Sequence, residues 1–336
     1  MEYKIILFKA ETPIHMGGNQ KLGIVDNPIQ REIHTNFPKL PASGIKGSIR
    51  NEFDEEIADI IFGDEINEKH RSIYSFVDGR ILFFPVKSAK NIYTWVTCPY
   101  VLNRFFEDYT MFLGESFDEG VEFQPNTFLM QSGNELTNLI LEEITFKVNV
   151  DGAKKEKNKK EEKGKKEEKD KKDKKYKSKD LFLQLLKDIV YKNEQEPTHD
   201  IFIISDNDFR YFVELSTEVN TRIKIGDNGI VENGKLFTEE YVPEETIFYG
   251  FVGADNKAVE QLLKREDLNE KAIKKIKKIK HKPFKKLNKE LQISNSDFKT
   301  GLIQLGGNST LGKGFTSVKI TEIKESGGKN DNVKSG

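Results

Sequence analysis

Apolar and polar positions follow two different periods along the chain, and the switches between them mark out strands and helices. Tyr3–Ala10 (YKIILFKA) has strand composition, and Pro13, Gly17 and Gly18 end it. An irregular stretch from Leu22 to Pro41 is punctuated by Gly23, Pro28, Pro38 and Pro41. Ser43 then stands where an N-cap would, and Ile45, Ile49 and Phe53 recur four apart. That spacing predicts a helix from about Gly44 to Phe53. Tyr74–Val77 and Ile81–Val86 read as a strand pair turned at Asp78-Gly79. Pro99–Phe112 has helical spacing, and Glu142–Val150 (EEITFKVNV) alternates like a strand.

From Lys154 to Lys179 the pattern stops, because almost no apolar residue is present to bury. Asp180–Tyr191 resumes as an amphipathic helix, Phe202–Ser205 is a short strand, and a helix opens near Asp206 with Phe209, Phe212 and Val213. Asn220–Ile225 and Thr246–Val252 are further strands. Ile273, Ile276 and Ile279 step by three through a lysine run and predict a basic helix. Gly301–Leu305 leads into the glycine-rich Gly306–Phe315, and Thr316–Ile323 closes the pattern as a strand. Irregular alternation of strands and helices, with hairpins as well as crossovers, points to an α+β fold with helices on one face of an antiparallel sheet. Such a sheet would leave its other face free for a single-stranded ligand.

Composition changes this picture in two places. The single cysteine, Cys98, excludes an internal disulfide and fits a reducing compartment. No apolar stretch approaches the roughly 20 residues that span a bilayer, and the first residues read as a strand rather than a signal peptide. A soluble, cytoplasmic protein is therefore expected. The net charge of −1 conceals an asymmetry: Lys154–Lys179 carries an excess of +8 and Lys271–Lys289 an excess of +10, which leaves −19 on the remainder. Bulk charge thus argues against a body that coats nucleic acid by electrostatics alone. Each lysine segment has two readings, an RNA contact and a solvated surface, and for Lys154–Lys179 the solvated loop is favoured.

Three groups of residues could carry chemistry. Gly306, Gly307, Gly312 and Gly314 allow close approach of backbone to a ligand, and with Lys313 beside them could cradle phosphate. The spacing is not that of a P-loop, and a tight strand connection explains the same glycines. In SGIKGSIR, Lys46 and Arg50 share a helix face four residues apart, suited to a phosphate or to an ordinary surface helix. The irregular segments carry His15, Asp26, Arg31 and His34. There a carboxylate can hold a divalent metal or orient an attacking 2′-hydroxyl, and a histidine can move a proton. Taken singly, Asp26 capping a turn and His15 bonding its own loop are the more common roles.

Six segments decide among these readings. TPIHMGG, VDNPIQREIHTNFPKLPASGIKGSIR, FVDGRILFFPVKSAKNIYTWVTCPYVLNRF, VNTRIKI, LFTEEYVPEETIFY and IQLGGNSTLGKGF follow one another in order. Together they resemble the RAMP superfamily of CRISPR proteins, and more narrowly the backbone subunit of the type III-B (Cmr) effector complex. The resemblance runs from Tyr3 to Ile323 and skips Lys154–Lys179. It implies one modified RRM-like (ferredoxin-like) domain over residues 1–323, with inserted elements that include a protruding thumb hairpin, and a flexible tail over 324–336. It also implies a subunit that stacks with other copies of itself and with other subunits along a CRISPR guide RNA, and that cuts complementary target RNA at regular intervals as an endoribonuclease dependent on a divalent metal, Mg²⁺ by expectation.

Carried over by motif, Asp26 is the catalytic and metal-holding residue, and His15 and Glu240 are further catalytic candidates. Lys46, Arg50, Gly306, Gly307, Gly312, Lys313 and Gly314 are candidate RNA contacts. Three alternatives stay open: a structural guide-binding subunit that does not cut, a metal-independent guide-processing nuclease using His15 as base, and the equivalent subunit of a type III-A complex.

Overall fold

The computed structural model describes the chain except residues 19–24, 64–70, 115–121, 132–135, 150–181, 183–198, 227–228, 267, 292–300 and 322–336. The expected Lys154–Lys179 insertion, the Asp180–Tyr191 helix (apart from Phe182) and the 324–336 tail lie outside the described residues. The strands are β1 (Glu2–Ala10), β2 (Lys39–Leu40), β3 (Tyr74–Phe76), β4 (Gly79–Lys87), β5 (Tyr93–Thr97), β6 (Thr127–Met130), β7 (Asn138–Leu141), β8 (Ile144–Lys147), β9 (Ile201–Ile203), β10 (Glu218–Ile225), β11 (Val231–Tyr241), β12 (Ile247–Ala254), β13 (Leu302–Gln304) and β14 (Phe315–Thr321). The helices are α1 (Ala42–Asn51), α2 (Glu55–Phe62), α3 (Pro99–Leu113), α4 (Asp206–Leu215), α5 (Asn256–Leu262), α6 (Glu270–His281) and α7 (Pro283–Glu290).

The main sheet runs β13-β14-β1-β12-β4-β5-β9-β6, with β3 also on β12 and β2 on β4. Every described pairing in it is antiparallel except β5 with β9. Its centre, β14-β1-β12-β3/β4, has helices after β1 and after β12, which is the βαββαβ arrangement. Register assigns the faces, because paired residues share a side and neighbours along a strand alternate. Lys4 pairs with Val252 and Val252 with Phe76. Phe62 of α2 stacks on Phe76, and Lys4 Nζ lies 4.7 Å over Phe284 of α7. Both crossover segments therefore cover this one face.

The opposite face presents Tyr3, Tyr249 and Phe251, and α3 packs there through Phe105 on Tyr249 and Phe112 on Tyr3 and Phe251. All eight positions of β12 are buried in consequence. The expected free face is thus occupied, since α3 brings its own apolar stripe to a sheet that would otherwise expose aromatic rings.

Three local expectations need correction. Tyr74–Val77 and Ile81–Val86 do not pair with each other; β3 and β4 both pair with β12, and the chain merely breaks step at Val77-Asp78. Ser43 is not the cap of α1: Pro41 holds that position, and the Asp78 carboxylate accepts from the Ala42 N–H at 2.8 Å. Burial works against charge on Asp78, but Lys39 at 2.8 Å and this amide hold its carboxyl below the usual range. Glu142 belongs to a turn with φ +50°, and the strand expected from it is the second arm of the β7–β8 hairpin.

The β10–β11 hairpin forms its own two-stranded sheet, with Val219, Ile223, Ile225, Ile230, Val231 and Leu236 exposed.

Candidate active site

One edge of β11 pairs with β10, and the other receives two loops that the sequence separates. Ile14 and Val242 exchange backbone bonds of 2.9 Å each. Asn27 N–H donates to Thr238 O at 2.9 Å, and Glu240 N–H donates to Asn27 O at 3.0 Å. The two loops also bond each other, Gly18 N–H to Pro28 O and Gln30 N–H to Met16 O. Backbone amides that would otherwise be orphaned are satisfied this way, so the loops are held as firmly as edge strands. His15 and Asp26 are thereby fixed at Glu240 and Thr238, two residues and about 7 Å apart along the strand.

Asp26 is fully exposed, and its Oδ2 accepts from the Thr238 amide at 2.7 Å and the Thr238 hydroxyl at 2.9 Å. These donors, the amide first, hold its carboxyl below the usual range. Asp26 is therefore an anion at neutral pH, able to hold a cation or attract a hydroxyl proton, and unable to donate one. The His15 Nδ1 lies 2.7 Å from the Glu240 carbonyl. A carbonyl only accepts, so this contact assigns a proton to Nδ1, and in the neutral ring the lone pair is then on Nε2.

A polar cluster that sequence reasoning missed adjoins His15. Tyr241 Oη donates to Glu239 Oε2 at 2.7 Å, Arg222 donates to both residues at 3.0 and 2.7 Å, and Asn308 Nδ2 lies 3.1 and 2.9 Å from the same pair. The Tyr241 ring is 5.4 Å from His15. Burial opposes charge on Glu239, yet the Tyr241 and Arg222 bonds keep its carboxyl low. The available signal is the alternation of Glu239 and Tyr241 on one face of a strand.

Glu240 itself is not placed to touch a substrate. It is 6% exposed, its Oε1 accepts from Arg31 at 2.5 Å and Thr217 at 2.9 Å, and its Oε2 accepts from the Ile29 amide at 3.0 Å. Of the other imidazole and guanidinium in these loops, Arg31 is consumed by Glu240, and His34 points away to Tyr100 Oη at 3.4 Å.

The remaining candidates divide. Gly306 (φ +81°) packs so closely that a Cβ would stand 2.2 Å from His15 O, and the Gly307 amide donates to that oxygen at 2.9 Å. The α1 helix joins the same corner: a Cβ on Gly44 would meet Met16 Cε at 2.4 Å, and Ser48 donates to Gln304 O. Lys46 on this helix makes no hydrogen bond or ion pair among the described residues, so its ammonium is available to phosphate. Arg50 is not, because it pairs with Asp59 of α2 and donates to Gly63 O. Lys313 is drawn to Glu218 at 3.3 Å and over the Tyr241 ring at 5.0 Å. Gly312 (φ +73°) opens onto empty space, whereas Gly314 (φ +83°) is forced by Leu305 O.

Among the described residues no group of three or more His, Cys, Asp or Glu could hold a metal ion. Asp26 offers one carboxylate, which suits a hard cation that keeps most of its water and takes its other ligands from phosphate. No described helix is long and apolar enough to cross a membrane.

A model of the RAMP superfamily matches residues 7–317. The "CRISPR system Cmr endoribonuclease Cmr4" of Pyrococcus furiosus is 32% identical over 331 residues, covering 94% of this chain and 95% of that protein. The crystal structure of oligomeric Cmr4 from Pyrococcus furiosus superposes with a TM-score of 0.60 at 25% identity, covering 96% and 99% of the two chains. A chain of the type III-B Cmr-beta complex bound to cognate target RNA, solved by cryo-EM, shares the fold at a TM-score of 0.60 and 18% identity, over 95% and 97%. With the family match spanning residues 7–317, a range that contains both loops meeting the β11 edge, the chain belongs to the RAMP superfamily.

Proposed function

We propose that this chain is a guide-RNA-binding backbone subunit of a type III-B CRISPR ribonucleoprotein that cuts complementary target RNA. The observation that carries the reading is the common anchoring of Asp26 and His15 on the outer edge of β11. The family supplies the context: a relative named as an endoribonuclease aligns across 94% of the chain. The guide RNA, the target RNA, further copies of the chain and other subunits of the complex are the proposed partners. Base pairing with the guide would select the target, with protein gripping backbone.

The chemistry proposed is attack of a target 2′-hydroxyl on the adjacent phosphorus. The new O–P bond forms as the bond to the 5′-oxygen breaks, leaving a 2′,3′-cyclic phosphate and a 5′-hydroxyl. His15 Nε2 accepts the 2′-hydroxyl proton, and water protonates the departing oxygen. Asp26, anionic and exposed, orients that hydroxyl and would hold a divalent metal, Mg²⁺ by the hardness of its ligands. When bound, the metal would offset charge building on the phosphate oxygens. Lys46 and the glycine loop from Gly306 to Gly314 hold phosphates alongside.

The test is the assembled complex with guide, its cuts mapped with and without Mg²⁺ for the unaltered chain and Asp26→Ala. Regularly spaced cuts that require Mg²⁺ and vanish in Asp26→Ala, with assembly intact, are expected. Unchanged cutting by the variant would hand the chemistry to another subunit and leave this one a structural guide holder.

A further inference from the structure

We infer that Glu240 is a positioning residue that couples the root of the β10–β11 hairpin to the loop carrying Asp26. The inference rests on the cleavage reading above and assigns regulation to the same site. Three donors from two segments meet at this one carboxylate. Thr217, the residue before β10, donates to Oε1 at 2.9 Å; Arg31 donates to the same oxygen; and the Ile29 amide, three residues from Asp26, donates to Oε2 at 3.0 Å. Arg31 extends the junction, since its other terminal nitrogen donates to Val213 O of α4 and to Asn36 O, 2.9 Å each.

With Glu240 nearly sealed from water, these bonds are unscreened and directional, so displacement of one donor shifts the others. The hairpin enters β10 directly from Thr217, and its far end exposes an apolar surface. Movement of that hairpin against RNA therefore pulls on the carboxylate that fixes Ile29. Asp26 follows, because the amides of Asp26, Asn27 and Ile29 tie one short loop to Thr238 and Glu240 of β11. Cutting is thus linked to hairpin position without Glu240 touching the strand being cut.

Thr217→Val tests this, since it removes a donor outside the Asp26 loop and keeps shape and volume. The assembled complex carrying it is compared with the unaltered complex, Asp26→Ala, and Thr217→Ser, which restores the hydroxyl. Two readouts are taken: amide hydrogen exchange at Asn27 and Ile29, and the single-turnover cutting rate with target saturating. Thr217→Val should speed exchange at both amides and slow cutting about tenfold, with target affinity within twofold, and Thr217→Ser should restore both. Unchanged exchange overturns the coupling. Faster exchange with an unchanged rate overturns the positioning role, and so does a rate loss matched by lost target affinity. If Asp26→Ala still cuts, the cleavage reading fails instead, and the exchange readout continues to test the coupling on its own.

Discussion

Removing Arg104 is a direct test of how the Asp26 loop is anchored at its far end. Glu32 lies six residues beyond Asp26, and Arg104 of α3 donates through one terminal nitrogen to both its oxygens, at 2.8 and 2.7 Å. Both side chains are 9% exposed. Arg104→Met deletes the cation and leaves the carboxylate desolvated, with the Thr35 hydroxyl bonded to it and His34 Nε2 at 4.0 Å among the described residues, a loss of about 3–5 kcal/mol for such a broken pair. One feature lowers the figure: Arg104 Nε and its second terminal nitrogen are buried without partners, a cost that methionine relieves. The lower end, about 3 kcal/mol, is therefore expected. At about 2.1 cal/mol/K per residue, 336 residues give an unfolding entropy near 0.7 kcal/mol/K, so the thermal midpoint should fall by about 4 °C. The double change Arg104→Met with Glu32→Leu removes both charges and should recover most of that loss. Differential scanning calorimetry of all three proteins measures it. A drop under about 1.5 °C for Arg104→Met, or a double variant no better than the single, refutes the argument that this pair clamps the loop.

Three further outcomes follow from the site. Asp26 must be charged to act, and the Thr238 hydroxyl is the second of the donors that hold its carboxyl low; Thr238→Val raises the pH at which Asp26 protonates, so the acid limb of the cutting rate against pH should move upward, and an unmoved limb contradicts this. Gly306→Ala forces a left-handed residue, about 1–2 kcal/mol, and drives a Cβ into His15 O; it should lower the thermal midpoint and cutting rate more than Gly312→Ala, which meets open space. Lys46→Ala should shrink the slope of log guide affinity against log salt by about 0.7 for the lost single-strand phosphate contact, while Arg50→Ala, which loses an internal pair with Asp59, should destabilise α1 and leave the slope unchanged.

The legible parts of this fold are those whose stability comes from apolar periodicity. The strand at Tyr3–Ala10 was readable as a short continuous apolar run, Ile5-Ile6-Leu7-Phe8, and the helices from Pro99 and from Asp206 because Val101, Leu102 and Phe105, and Phe209, Phe212 and Val213, recur at helical spacing. The β11 strand was not, although it organises the site. Its buried positions include Glu239 on one face and Glu240 on the other, whose burial is made tolerable by Arg222 and Arg31 from elsewhere in the chain, and a hydrophobic pattern has no term for a satisfied buried acid. Asp78-Gly79 misled for a related reason: a turn dipeptide reports local geometry, whereas the pairing of its flanks was decided by β12, some 170 residues later. Asp26 was found through its motif, and the donors that keep it ionised were invisible until Thr238 was brought beside it.

The same pairing explains how an acidic body can serve an RNA. Arg31, Arg50, Arg222 and Lys313 surround the candidate site, yet each is bound to an acid of the same chain: Glu240, Asp59, Glu239 and Glu218. Phosphate cannot take those cations without stranding a carboxylate, and in the buried cases that cost exceeds what one phosphate contact returns. Under the proposed function, what remains for RNA at this corner among the described residues is Lys46, a contact too small to hold a strand from one copy. Affinity must then come from several such corners engaging one guide at once, where each linked contact multiplies the last. On the proposed reading, a site built this way would hold little RNA on its own and acquire both grip and chemistry on assembly.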